Sequence, residues 1–348
     1  MSSAVTAKNH GSHEGVNMAT ICAVVLTYNR MDLLDSCLHA IVAQTHQCDR
    51  IVVIDNASTD GTFGMLAEKW ADRVEVYSLP RNIGAAGGFN MGMRIAYRTG
   101  ADAIWVMDDD VIPEPDALER LIAANRVLTD REISAPFVIS TARTPRGHVT
   151  NVPDVANRRN ALSYQAWPEL LEHRMVPVRR ATFVSILLPR RTLARFGLPF
   201  ASMFIWGEDT EFTLRITASQ PGYIVGDSRC LHVRQMDGNP DIRTENNPVR
   251  VGWHYHYIRN SVYTIRKYAP RRTWMRHMTH KLRQALSLFI QGETSKALIV
   301  MRGTLHGLRF KPVLEAADAP FDDEGVRTVA WSDRGASLAM DAPSQAAE

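Results

Sequence analysis

The chain has 348 residues, 45% of them hydrophobic and 22% charged, with a formal net charge of +3. This is an ordinary globular composition that gives no support to a general nucleic-acid binder, and the length predicts about two domains or one large α/β domain with appendages. Its cysteines, Cys22, Cys37, Cys48 and Cys230, show no CxxC spacing, so they read as reduced core thiols of a cytosolic protein and not as a disulfide or zinc framework.

No apolar stretch approaches the roughly 20 residues needed to span a bilayer. The start, "MSSAVTAKNHGSHEGVNMAT", lacks the apolar segment of a signal peptide, and residues 1–18 read as a disordered leader. "TICAVVLTYNR" is a β-branched run ending in polar residues, a buried strand whose loop carries Thr27, Tyr28, Asn29 and Arg30. "MDLLDSCLHAIVAQT" repeats apolar residues at helical spacing. "RIVVIDNASTDGT" gives a second strand with Asp55 at its tip, then a helix over "TFGMLAEKWAD" and a third strand, "VEVYSLP". A glycine cluster, "RNIGAAGG", precedes a helix over "GFNMGMRIAYRTG", and "AIWVMDDD" is the fourth strand. This alternation predicts an α/β fold with a parallel, doubly wound sheet, whose ligands sit beyond the carboxyl ends of the strands. Residues 27–30, 55–60, 81–84 and 108–110 are therefore expected on one edge.

Beyond residue 120 come a helix in "DALERLIAANRVL" and a strand in "EISAPFVIS", then a polar stretch over 143–180 that reads as an insertion or flexible acceptor-side loop. "RRATFVSILLPRRTLARFG" restores a strand and a short helix, "MFIWGEDTEF" is a tight turn entering a helix, and "YIVGDSRCLHVRQ" is a strand followed by a histidine-bearing loop. Residues from about 312 to 348 read as a loose tail.

Several segments carry chemistry, each with a bland alternative. Asp108, Asp109 and Asp110 are hard oxygen ligands suited to Mg²⁺ or Mn²⁺. In an extended strand Asp108 and Asp110 project to one side and Asp109 to the other. A charged turn before Pro113 is the alternative. The glycines suit close approach of backbone to a ligand, or simply a tight turn and helix packing. Glu208, Asp209 and Glu211 either complement a helix dipole or include a general base for a hydroxyl nucleophile. His232 could complete a metal site with the aspartates. "GWHYHYIRNSVYTIRKY" reads mostly as helix packing with a basic face.

Taken together, "VVLTYNR", "VVIDNASTDGT", "RNIGAAGGF", "WVMDDD", "WGEDTEF", "LHV" and "YIRN" in this order resemble the family 2 nucleotide-sugar glycosyltransferases, inverting enzymes of GT-A fold. The pairing of the glycine-rich segment with "MDDD" is most similar to the galactofuranosyltransferases of bacterial cell-wall assembly, then to rhamnosyltransferases. The resemblance implies a GT-A-type doubly wound mixed sheet flanked by helices. It divides the chain into a nucleotide-binding half over 19–112, an acceptor half over 113–265 and a basic amphipathic helical region over 266–311.

It further implies that Thr27, Tyr28, Asn29, Arg30 and Asp55 hold the nucleoside of a nucleotide-diphosphate sugar. Arg81, Asn82, Gly84, Gly87 and Gly88 would line its ribose and diphosphate, with Asp108 and Asp109 on the donor as well. Asp108, Asp110 and His232 would hold Mn²⁺ or Mg²⁺. Asp209 would be the base, with the division of roles between it and Glu208 open, and Trp206, His254 and Arg259 would lie on the acceptor side. The implied activity is hexosyl transfer, galactofuranosyl from UDP-galactofuranose or rhamnosyl from dTDP-rhamnose, to a glycolipid or polysaccharide hydroxyl. A non-catalytic carbohydrate-binding protein is the reading from another class. The basic helices fit a cytoplasmic enzyme peripheral on the inner membrane, or helices packed on the catalytic domain or on another subunit.

Overall fold

A computed structural model describes residues 20–234, 240–320 and 323–329. The expected leader over 1–18 and the tail beyond 330 lie outside the described residues. The first strands are β1 (Ile21–Thr27), β2 (Arg50–Asp55), β3 (Glu75–Ser78) and β4 (Ala103–Asp108), alternating with α1 (Met31–Val42), α2 (Thr62–Lys69) and α3 (Gly84–Arg98). Then follow β5 (Val111–Pro113), α4 (Ala117–Asp130), β6 (Val138–Arg143), β7 (Val149–Thr150), β8 (Asp154–Val155), β9 (Met175–Arg180), β10 (Ile186–Pro189), α5 (Arg190–Phe196), α6 (Glu208–Ile216) and β11 (Gly222–His232). Three helices, α7 (Pro248–Tyr268), α8 (Arg271–Ile290) and α9 (Thr294–Arg309), precede a last strand, β12 (Arg327–Val329).

The strands form one mixed sheet in the order β12-β3-β2-β1-β4-β10-β6-β11-β9-β8. Strands β3, β2, β1 and β4 are mutually parallel, and β10 joins β4 antiparallel. Every residue of β1 is buried, as expected of a strand covered on both faces. Its side chains divide by the strand period of two: Ile21, Ala23 and Val25 pack with Leu34, Leu38, Leu66 and Leu118 under α1, α2 and α4. Cys22, Val24 and Leu26 pack with Phe89, Leu193 and Phe212 under α3, α5 and α6.

Strand β11 is long and changes partners. Its first half pairs with β9 and β6, the register shifts between Val225 and Arg229, and its last residues pair with β5, His232 opposite Val111. The irregularity bends the strand so that its end meets the tip of β4. His232 is therefore the last residue of a strand, not part of a following loop.

Three expectations change. Residues 143–180 are no loose insertion, since β9 and β8 extend the sheet there and β7 pairs with β6. Described residues of the stretch after 312 dock on the rest of the chain: Glu315 accepts from the buried Arg94, Ala317 is 3% exposed, and β12 lies antiparallel to β3. The expected boundary at 265/266 falls inside α7, which packs on α9 and α8 around Ile258, Leu288 and Val300.

Candidate active site

The tips of β1, β2 and β4 are tied together by side chains. Thr27 donates its hydroxyl to Asp109 Oδ2 at 2.8 Å. Arg30 Nη1 reaches Asp109 Oδ1 at 3.0 Å and Asp110 Oδ2 at 2.9 Å. Burial opposes the charge on Arg30, but Asp109 and Asp110 more than compensate and raise its pKa. Asn29, in a left-handed conformation at φ 53°, receives the Thr59 N–H at 2.7 Å and donates its own N–H to Ser58 at 2.9 Å. Tyr28 stays exposed. Asp55 is fully buried, accepting from the Ser58 N–H and the Ser78 hydroxyl, and so fixes the turn that follows β2.

The strand alternation expected of the aspartates stops at Asp108. Asp109 and Asp110 form a turn, and both face Arg30. Burial first, then the Asp110 and Asp109 charges, push the Asp108 carboxyl well above the usual range. Burial also raises Asp109, to about 6, against the pull of Arg30. Asp110 differs: burial would raise it, yet its contacts with His232 and Arg30 win and lower it.

Antiparallel pairing of β5 with β11 carries His232 Nε2 to 3.1 Å from Asp110 Oδ1. Behind the ring, Nδ1 lies 2.8 Å from Asn151 Oδ1. The orientation of that amide is set by Thr150, which donates to Oδ1, and Thr182, which accepts from Nδ2. Nδ1 is therefore the protonated nitrogen. A neutral ring then aims its Nε2 lone pair at Asp110 Oδ1, an oxygen that is buried and receives no hydrogen bond. Two facing lone pairs are satisfied either by an imidazolium proton or by a cation between them. A histidine whose other nitrogen donates to a fixed oxygen is the usual arrangement at a metal. The donor set thus fits Mn²⁺ or Mg²⁺, although no three His, Cys, Asp or Glu side chains converge at ligand spacing among the described residues. Of the expected trio, the structure joins Asp110 and His232 and leaves Asp108 apart.

The glycine segment is the first turn of α3 and not a loop ahead of it. Gly84 has φ +77°, and a Cβ there would meet the Phe204 carbonyl oxygen at 2.2 Å. That same carbonyl accepts the Ala86 N–H at 2.9 Å, while Asn82 Oδ1 accepts the Gly84 N–H at 2.7 Å. Two N–H groups of the helix start are therefore engaged within the chain. Gly87 and Gly88 are buried, with Leu26 so close that a Cβ on Gly88 would meet it at 2.3 Å. Packing of α3 on the sheet accounts for Gly88, and the Ile83 side chain lies against Gly87. Arg81 is exposed at the sheet edge.

The turn before α6 is unusual. Phe204, Trp206 and Gly207 have φ of 64°, 59° and 112°, and left-handed non-glycine residues carry a strain of order 1 kcal/mol each. Helix α7 holds the turn. Asn260, fully buried, donates to the carbonyls of Met203, Ile205 and Trp206, and Arg259 donates to those of Ser202 and Met203. Arg259 is thus a brace behind the turn and not an acceptor-side contact. His254 is likewise buried, its ring 5.2 Å from that of half-exposed Trp206.

On this turn sit Glu208 and Asp209. Glu208 is buried with Oε2 unpartnered, and burial followed by the Asp209 charge pushes it up to about 8. Asp209 is half-exposed, accepts the Thr210 N–H, and is raised by burial against the pull of that bond and of Arg180. Sequence reasoning missed Asn151 and Arg180, which lie in or beside the unmatched segment. A local signal existed only for Asn260, inside "YIRN".

A mixed, doubly wound sheet with acidic side chains gathered at the parallel strand tips defines the scaffold as a GT-A-type fold. It is similar to the crystal structure of GalNAc-T7 with UDP, GalNAc and Mn²⁺, at a TM-score of 0.52 and 15% identity, covering 72% of this chain and 48% of that one. Residues 22–185 match the sequence profile of Glycosyl transferase family 2. Curated relatives include galactofuranosyltransferase GlfT1 of Mycolicibacterium smegmatis, 28% identical over 200 residues, or 57% of this chain and 66% of the relative. GlfT1 of Mycobacterium tuberculosis is 31% identical over 204 residues, or 58% of this chain and 65% of the relative. The match thus spans just under two thirds of the length of these relatives. Among the described residues, no helix is long and apolar enough to cross a membrane.

Proposed function

We propose that the chain is a metal-dependent, inverting glycosyltransferase that moves a hexose from a nucleotide-diphosphate sugar to a glycan hydroxyl. The observation that carries the reading is the Asp110–His232 pair at the tip of β4, with the histidine's tautomer fixed by Asn151. The best-supported donor is UDP-galactofuranose, since the curated relatives named above are galactofuranosyltransferases.

Thr27, Tyr28, Asn29 and Asp55 take the nucleoside, and Arg30 keeps Asp109 and Asp110 ionised and in place. Asp110 and His232, with Asp108 brought in from the end of β4, would hold a divalent cation, which would supply neutralisation of the charge that develops on the leaving diphosphate. Asp209 accepts the proton of the attacking hydroxyl. Of the two acids on the turn it is the more solvent-accessible, and Glu208 is held neutral behind it. Attack from the face opposite the diphosphate inverts the anomeric centre.

The test is a donor screen: UDP-galactofuranose, UDP-galactopyranose, UDP-glucose and dTDP-rhamnose, each with Mn²⁺ and with EDTA, followed by nucleotide diphosphate release. Release from UDP-galactofuranose that EDTA abolishes is the expected result. Turnover unaffected by EDTA would remove the cation from the mechanism, and a preference for dTDP-rhamnose would reassign the donor.

The proposed acceptor is a lipid-linked or cell-surface glycan met at the cytoplasmic face of the inner membrane. Helix α8 exposes Met275, Leu282, Leu286 and Phe289 beside exposed Arg272, Arg276 and Arg283. A basic, apolar face of this kind suits an anionic bilayer surface. Failure to float with anionic vesicles would sink that part of the proposal.

A further inference from the structure

Away from the strand tips, α7, α8 and the segment from Pro240 to Arg243 enclose a cavity of about 240 Å³. Its lining includes Asp241, Arg243, His254, Tyr257, His280 and Lys281. That is smaller than the roughly 300–1,000 Å³ of pockets that swallow a whole ligand, so it suits one group of a larger molecule. The cavity is lined by a lysine that has no carboxylate partner among the described residues, its Nζ 5.9 Å from the centroid of the Tyr257 ring. Lys281 is only 7% exposed, and its Nζ has a single hydrogen-bond partner, Gln284 Oε1, at 3.3 Å.

Among the described residues no carboxylate lies within ion-pair distance of Lys281. Asp241 is near but is clasped by Arg243 through both oxygens, at 2.6–3.0 Å. Across the cavity His254 is 1% exposed, and its Nε2 is buried without a partner. Buried cations are almost always paired, because desolvation is otherwise uncompensated. Here an ammonium with free donors and an imidazole nitrogen line the same small space.

The cavity adjoins the turn that carries the base. Tyr257, in its wall, lies with its ring 6.1 Å from that of Trp206, and His254 lies 5.2 Å from the same indole. Trp206 is three residues before Asp209. A lysine acts as a point charge suited to a phosphoryl group, whereas the forked guanidinium of Arg243 is already spent on Asp241.

We propose that this cavity is an acceptor subsite, in which Lys281 and His254 bind a phosphoryl group carried by the acceptor molecule while its glycan hydroxyl reaches Asp209. The assignment to an acceptor rests on the glycosyltransferase reading above; recognition of the anion does not.

The experiment uses the full chain saturated with UDP and Mn²⁺, titrated with hexyl phosphate, inorganic phosphate and hexanol, in wild type, Lys281→Met and Lys281→Arg. Hexyl phosphate binds wild type and the arginine variant, and binds Lys281→Met at least about ten-fold more weakly, the loss expected for a charged hydrogen bond. UDP affinity is the same in all three. Because methionine relieves an unpaired buried charge, the Met variant melts no lower than wild type, which separates lost binding from lost folding. In turnover, the KM of a phosphoryl-linked glycan acceptor rises in Lys281→Met with kcat held, and that of a neutral alkyl glycoside does not move. Equal binding of hexyl phosphate by wild type and Lys281→Met overturns the proposal. Inorganic phosphate binding as tightly as hexyl phosphate overturns the acceptor assignment in favour of a free-anion site. Lys281-dependent binding in a chain that turns over none of the nucleotide sugars overturns the transfer reading alone.

Discussion

Two groups of acids face the proposed reaction, and their surroundings treat charge in opposite ways. At the tip of β4, Asp109 and Asp110 sit against Arg30, and Asp110 against His232, at 2.9–3.1 Å. On the turn before α6, neither Glu208 nor Asp209 has an ion-pair partner among the described residues, and burial raises both pKa values. Burial raises Asp108 and Asp109 as well, so in the first group it is Asp110, held by His232 and Arg30, that is lowered and kept anionic as a ligand must be. The second is built to hold or take up a proton. Groups whose environments push their protonation apart mark the separate tasks of a site.

The sharpest way to break that comparison is to remove the proton acceptor. Asp209→Asn is expected to lower kcat by about 10²–10⁴, the range for loss of a general base, with UDP affinity unchanged. Near-normal turnover would take Asp209 out of the role. If Glu208→Gln inactivates the protein and Asp209→Asn does not, the two acids exchange roles.

A subtler break lies behind the first group. Asn151 touches neither donor nor proposed metal, yet its Oδ1 decides which nitrogen of His232 faces Asp110. Asn151→Ala is expected to weaken Mn²⁺ binding roughly 10–100-fold, as for other partners behind metal-bound histidines. Calorimetric titration with Mn²⁺ reads this without turnover, and the ring ¹⁵N shifts of His232 should show mixed tautomers. Unchanged affinity with an unchanged tautomer would leave Asn151 a packing residue.

The two groups also differ in how far the sequence exposes them. Tips of parallel strands are legible, because strand–helix alternation alone brings Thr27, Asp55 and Asp108 to one edge, and the sheet has them there. Legibility fails where a side chain's direction depends on a long-range contact. Asp109 and Asp110 turn to the same cation because Arg30, about 80 residues earlier, pulls on both, which overrides strand alternation. Asn151 lies in a segment without a motif, and its purpose appears only when β7 is paired with β6 and β6 with β11. The glycines of α3 could be read as a ligand cradle or as packing, and contacts with Phe204 and Leu26 favour packing. Arg259 and Asn260 look like surface aromatic-helix residues in sequence, but the carbonyls they bind belong to a strained turn 54–57 residues away.

The smallest expected effect is also the most specific to the second group. Glu208 ionises near pH 4.5 in the unfolded chain and is held protonated to about pH 8 in the folded one. The folded state thus binds the extra proton, so stability from this group is complete below pH 4.5 and is lost as pH rises towards 8. Gln cannot ionise and lacks this loss. The melting temperature of Glu208→Gln relative to wild type should therefore rise between pH 5 and pH 8 and then level off. At about 1.4 kcal/mol per unit and roughly 2–4 °C per kcal/mol, each unit by which the Glu208 pKa is displaced widens the gap by about 3–6 °C. The slope with pH carries the argument, because a constant offset would follow from any change in packing. A flat difference would mean that Glu208 is ionised in the folded protein. The turn would then hold two charges against each other, and the contrast with the β4 tip would fail.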